Sequence, residues 1–145
     1  MIIIMACFWK GIQKSLVTND FKIFYEYRDI KYVPKLVTLV QFLQEHNCKT
    51  DDISCNGELC SEKMLDENIE AIKEYNIKHI HQGYYCSTAD PFLFLLSKLF
   101  NVNIYHNYNG HTIEYLNPNY VRSIYFRSSR SHFSYKKTIH TQNPS

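Results

Sequence analysis

A chain of 145 residues is long enough for one domain with a substantial core and too short for two ordinary ones. With 45% hydrophobic and 15% aromatic residues, it is globular and not disordered. A net charge of +2 gives no general case for an anionic membrane surface or for nucleic acid, and neither is expected as a partner. The five cysteines, Cys7, Cys48, Cys55, Cys60 and Cys86, cannot all pair with one another. The apolar start Met1–Met5 is too short for a membrane span and lacks the basic region and cleavage site of a signal peptide. Reduced thiols in an intracellular compartment are therefore expected.

In chain order, Phe8, Ile12 and Leu16 fall four apart and share one face of a first helix, with Cys7 directly before it. Residues 17–20 mark a break. Residues 21–27 alternate in part and fit either a strand or a helix extension. A second helix is predicted over 33–45, with Pro34 in its first turn and Val33, Leu36, Val37, Val40 and Leu43 as its apolar stripe. Residues 47–60 read as a long polar loop with an Asn56-Gly57 turn. Ser61 offers an N-cap to a third helix lined by Leu65, Ile69 and Ile72, with Asn76 as its C-cap.

Ile77–His81 reads as a short alternating strand, followed by a loop over 82–89. Asp90 and Pro91 suit the N-cap and first position of a buried helix running from Phe92 to Phe100. The final third reads as a meander: strands over 102–106 and 111–116 joined by Asn109-Gly110, a third over 122–126, and a fourth over 131–135 carrying His132. Residues 138–145 read as a loose tail. Helices first and a sheet last is an α+β pattern, with helices packed on a small, mostly antiparallel sheet.

A cysteine at a helix start lies among unpaired N–H groups at the positive end of the helix dipole, a setting that favours the nucleophilic thiolate. Such a nucleophile needs a base from elsewhere in the fold, and His132 on the closing strand is the candidate. Against this, a cysteine among apolar residues is commonly just a small core residue. Zinc is not expected: the remaining cysteines form no Cys-x-x-Cys pair, and His79 and His81 sit two apart on one strand face. Arg122, Arg127, Arg130, Lys136 and Lys137 interleave with aromatics, which is the alternation of a half-buried sheet before it is a nucleic-acid platform. No cofactor is implied.

Ala6-Cys7-Phe8-Trp9-Lys10-Gly11-Ile12 resembles the catalytic-cysteine helix of the ovarian tumour (OTU) cysteine proteases, in which a small-plus-aliphatic pair follows the cysteine on the helix. Residues 77–87 resemble that family's middle segment, 90–105 its buried helix and following strand, and Ser131-His132-Phe133 its histidine with a following aromatic. The resemblance implies a papain-like OTU-type fold over residues 1–137 as a single domain, with 138–145 as a flexible tail. It further implies a viral, intracellular chain acting in the host cytoplasm, with Cys7 as nucleophile and His132 as general base. The reaction implied is hydrolysis of isopeptide or peptide bonds to ubiquitin or a ubiquitin-like protein. The Asp-Gly-Asn or similar run that the family usually has before the cysteine is replaced here by Ile4-Met5-Ala6, and the Asp or Asn that some members use instead, two places after the histidine, by Ser134. These departures define the alternative, a catalytically impaired OTU-like module that binds ubiquitin or a host protein without cleaving it.

Overall fold

Four α-helices and a six-stranded, mostly antiparallel sheet account for most of residues 7–129 and 132–137, which the computed structural model describes. Helix α1 spans Phe8–Ser15, and Phe8, Ile12 and Leu16 are buried, as their spacing predicts. The following segment is neither strand nor helix extension. It forms two 3₁₀ turns, Thr18–Phe21 and Tyr25–Tyr27. Phe21 and Phe24, three apart as a tight turn requires, both reach the ring of Phe42, at 5.5 and 4.9 Å between centroids.

Helix α2 is Leu36–Glu45 and buries Leu39, Val40, Phe42 and Leu43. It begins after an extended Lys35, so Pro34 precedes the helix and does not occupy its first turn; Val37 faces solvent. The predicted long loop holds a short hairpin, β1 (Ser54–Cys55) and β2 (Glu58–Leu59). Asn56 and Gly57 turn it with φ of 51° and 87°, values that Asn and Gly tolerate best. Helix α3, Glu62–Glu74, starts where Ser61 Oγ accepts the Met64 N–H at 3.2 Å. It ends at Tyr75. Asn76 is not its C-cap; its side chain accepts the Lys78 N–H and opens a new 3₁₀ turn, Ile77–His79. The strand expected over 77–81 is therefore absent. Ile77 and Ile80 turn inward three residues apart, a spacing that alternation over five residues does not distinguish from a strand.

Helix α4 spans Pro91–Phe100, with Asp90 accepting the Phe92 N–H at 2.9 Å and Asn101 closing it in the left-handed region. Strands β3 (Val102–Tyr108) and β4 (His111–Leu116) form the hairpin that Asn109-Gly110 predicts. The rest is not a meander. After β4 the turn at 117–120 carries the chain back to the start of β3, where the Val121 N–H donates to the Asn101 carbonyl at 2.8 Å. Strand β5 (Arg122–Ser128) then runs parallel to β3, and β6 (Phe133–Tyr135) closes the edge, giving the order β2-β1-β4-β3-β5-β6.

One face of this sheet buries Ile104, His106, Ile113, Tyr115, Ile124 and Phe126 beneath the helices. The alternate residues, such as Tyr105 and Tyr125, stand on the other face. No helix among the described residues is long and apolar enough to cross a membrane.

Candidate active site

Cys7 is the N-cap residue of α1, and its carbonyl accepts the Gly11 N–H at 2.9 Å. Its side chain does not cap the helix. The sulfur turns instead toward the entry of β6, where it lies 3.4 Å from Nδ1 of His132 and accepts the main-chain N–H of Phe133 at 2.9 Å. The structure thus brings together two residues 125 positions apart in the chain. His132 stands immediately before β6, not on it, and is exposed, while Cys7 is half-buried.

The sheet explains why a Phe133 N–H is free to point at sulfur. The bonds from Ser129 N–H to His132 C=O and from Lys136 N–H to Tyr125 C=O mark 132 and 136 as facing β5. In an antiparallel ladder this leaves residues 133 and 135 with their main-chain groups directed outward. Helix α1 packs against that outward edge. The side chain of Phe133 goes into the core, with its ring centroid 4.7 Å from Phe8, 4.8 Å from Phe126 and 5.4 Å from His106. Gly11, one helical turn after Cys7, is the contact point: a Cβ there would sit 2.9 Å from Phe133 Cδ1 and 3.0 Å from Cε1.

The loop over 82–89 supplies a further wall. Tyr84 lies 4.3 Å from Phe8 between ring centroids, and its hydroxyl donates to Asp90 Oδ2 at 2.8 Å, tying this loop to the start of α4. Burial pushes the Asp90 carboxyl up to about 6, against the lowering effect of the Ser87 N–H, the Tyr84 hydroxyl and the Phe92 N–H. Beneath Phe133, His106 is fully buried, with Nε2 2.7 Å from Ser128 Oγ; burial lowers it to about 4. Its Nδ1 has no partner among the described residues. A cleft of about 560 Å³ opens at the same end of the sheet, lined in part by Cys55, Leu59, Cys60, Met64, Tyr108 and Ile113. Tyr108 pairs with Ser128 and Ser128 with Phe133, so the cleft wall stands two strand spacings, about 10 Å, from the site.

The other four thiols differ in setting. Burial raises Cys48 and Cys60, takes Cys55 to about 11, and drives Cys86 up further beside Asp90, which keeps all four as protonated thiols near neutral pH. His79 and His81 are exposed, and no group of three or more His, Cys, Asp or Glu among the described residues is arranged to hold a metal ion. Of the basic residues, Arg122 is engaged with Asp20, while Arg127, Lys136 and Lys137 face solvent.

Ser134, the expected stand-in for an acidic orienter, makes no hydrogen bond to the His132 ring; the bond found for that ring among the described residues is the one to Cys7. Ala6, directly before Cys7, lies outside the described residues, as do Ser131, Arg130 and the tail 138–145. Sequence reasoning missed the Phe133 N–H and Gly11. A glycine in a helix interior, one turn from a candidate nucleophile, was the available signal, because such a glycine is tolerated at a cost and often marks close packing.

A cysteine at a helix start facing a histidine at the mouth of a closing strand, on an α+β frame, defines the class of arrangement found here. No protein-family model matches the chain, and no curated protein or solved structure shows significant similarity to it.

Proposed function

We propose that the chain is a thiol-dependent hydrolase with a papain-like fold of OTU type, acting on isopeptide or peptide bonds to ubiquitin or a ubiquitin-like protein. The observation that carries this reading is the Cys7 Sγ to His132 Nδ1 separation of 3.4 Å, reinforced by the Phe133 N–H on the same sulfur. In the reaction, His132 takes the thiol proton and the sulfur attacks the scissile carbonyl carbon. His132 returns the proton to the leaving amine as the C–N bond breaks. Water, deprotonated by His132, then attacks the thioester and releases the acid and the Cys7 thiol. The main-chain N–H of Cys7, at the helix start, is the proposed donor to the developing oxyanion. The setting is intracellular, in a viral host's cytoplasm, where these thiols stay reduced.

The second reading, a binding module without turnover, is favoured by one observation. Among the described residues no side chain holds the other ring nitrogen of His132. In a well-studied serine triad, loss of the correct orienter costs about 10⁴ in turnover.

Ubiquitin carrying a cysteine-reactive C-terminus tests both. Covalent labelling of the wild type that disappears in Cys7→Ala supports the hydrolase. Binding that survives Cys7→Ala, with no labelling of the wild type, supports the module. Neither labelling nor binding overturns ubiquitin as the partner.

A further inference from the structure

The hydrogen bond from the Phe133 main chain to Cys7 has no counterpart in the expectation that a helix N-terminus would hold the sulfur. The sulfur does not cap α1; the helix end and the thiol have parted. The donor to sulfur comes from the neighbouring strand edge, 2.9 Å away, and from a position whose N–H takes no part in the β5–β6 ladder. Its neighbour in sequence is the base itself. The carbonyl of His132 accepts the Ser129 N–H at 2.9 Å, and the next N–H along the chain grips the sulfur. The single peptide group that joins His132 to Phe133 is therefore held at both ends, its C=O by Ser129 and its N–H by the sulfur.

We propose that the Phe133 N–H is a working donor of the site, holding the Cys7 thiolate together with His132, and that Gly11 is the positioning residue that lets it reach. The proposal rests on the hydrolase reading for its consequence in turnover, and on geometry alone for its effect on the sulfur. A hydrogen bond to a charged acceptor is worth more than one between neutral groups. Stabilising a thiolate lowers its intrinsic nucleophilicity by less than half of the gain in its population, so reactivity near neutral pH rises on balance. Gly11 enters because it is where α1 lies closest against the Phe133 ring with no side chain between them. A Cβ there would overlap the Phe133 ring, and the expected relief is a shift of Phe133 that draws its N–H off the sulfur.

The experiment follows alkylation of Cys7 by iodoacetamide across pH, read on the Cys7 peptide by mass spectrometry. Phenyllactic acid incorporated in place of Phe133 turns its amide into an ester, deleting the N–H while keeping every side chain. The expected result is about a tenfold slower alkylation at pH 7, with the pH–rate profile moved to higher pH. The same ester at Tyr135, also directed outward but not on sulfur, leaves the profile in place. Gly11→Ala moves it in the same direction as the Phe133 ester, and Gly11→Ala combined with Phe133→Leu, which makes room for the methyl group, moves it part of the way back. A wild-type profile in the Phe133 ester, or equal shifts from both esters, overturns the proposal. The alkylation needs no ubiquitin, so a chain that never labels with the ubiquitin probe but responds to the Phe133 ester refutes cleavage at ubiquitin and not the donor.

Discussion

Arg122, the first residue of β5, holds Asp20 with two bonds, Nε to Oδ1 at 3.0 Å and Nη2 to Oδ2 at 2.6 Å. The same Nη2 donates to the Ser15 carbonyl at 2.8 Å, at the C-terminal end of α1 where the helix dipole favours a cation. One side chain thus joins the helix that carries Cys7 to the strand that leads to His132. Asp20 is nearly buried and also accepts the Val17 N–H. Removing its partner leaves a buried carboxylate unpaired. The guanidinium is about a third exposed, which places the expected loss at the lower end for a broken buried pair, about 3 kcal/mol for Arg122→Ala. Arg122→Lys recovers a minor part, because an ammonium cannot reproduce the two-pronged contact. Urea unfolding with an unchanged m-value is the measurement; equal midpoints for wild type and Arg122→Ala would show the pair to be inert.

His132 and Ser134 share one side of the β6 entry, yet the structure assigns them unequal parts. The ring of His132 reaches sulfur, whereas the Ser134 hydroxyl reaches neither the ring nor Cys7. His132→Ala should lower probe labelling by about 10³-fold, within the range for loss of a general base, with the far-ultraviolet circular dichroism unchanged. Ser134→Ala should stay within about twofold of wild type, as expected for a surface change away from partners. A Ser134→Ala loss comparable to that of His132→Ala would restore the serine as orienter and refute this assignment.

Asn117 shows what a turn signal conceals. Asn117-Pro118-Asn119 is legible as a turn, but the buried side chain of Asn117 is a junction between elements. Its Nδ2 donates to the Ser97 carbonyl at 2.8 Å, its Oδ1 accepts the Asn119 N–H at 2.7 Å, and its own N–H donates to Asn103 Oδ1 at 2.8 Å. The end of α4, the start of β3 and the return to β5 meet there. Asn117→Ala deletes both side-chain bonds from a buried position, at about 0.5–1.5 kcal/mol each, since the Ser97 carbonyl keeps the Asn101 N–H and the Asn119 N–H lies at an exposed residue. A loss of about 1–3 kcal/mol in chemical denaturation is expected, and Asn117→Asp should not fully recover it, since it cannot donate to Ser97. A midpoint within experimental error of wild type would refute the junction.

The contrast runs through the whole fold. Features written in neighbouring residues were legible: Ser61 and Asp90 as caps, Asn109-Gly110 as a hairpin turn, and α4 as a buried helix. Features that depend on distant partners were not. Ile77–His81 alternates as a strand does, but Asn76 diverts the backbone into a 3₁₀ turn. The parallel placement of β5 depends on Val121 meeting Asn101 and on Arg122 meeting Asp20, contacts that no local pattern announces. At the site, Cys7 and His132 could be named from residue chemistry and resemblance. The Phe133 N–H could not, because only strand register decides which way a main-chain donor faces.

Two buried groups beside the site titrate in opposite senses. His106 is neutral in the fold and lowered to about 4, against 6.5 when exposed, so it contributes stability that is present above pH 6.5 and lost as pH falls toward 4. Asp90 is raised to about 6 from 3.8, so its contribution is present below pH 3.8 and lost as pH rises through 6. Each displacement of a little over two pH units corresponds to about 3 kcal/mol, and between pH 4 and 6 the two slopes oppose each other. These two groups therefore leave wild-type stability nearly level across that window. His106→Gln, which keeps a partner for Ser128, removes one slope; stability should then fall as pH rises from 4 to 6. Asp90→Asn leaves the other, and stability should fall as pH drops over the same range, on top of a constant loss from the displaced Tyr84 and Ser87 donors. Urea midpoints at pH 4, 5 and 6 for the three proteins read this directly. Variants whose midpoints change with pH in the same direction would show that these two groups do not control the pH dependence of folding.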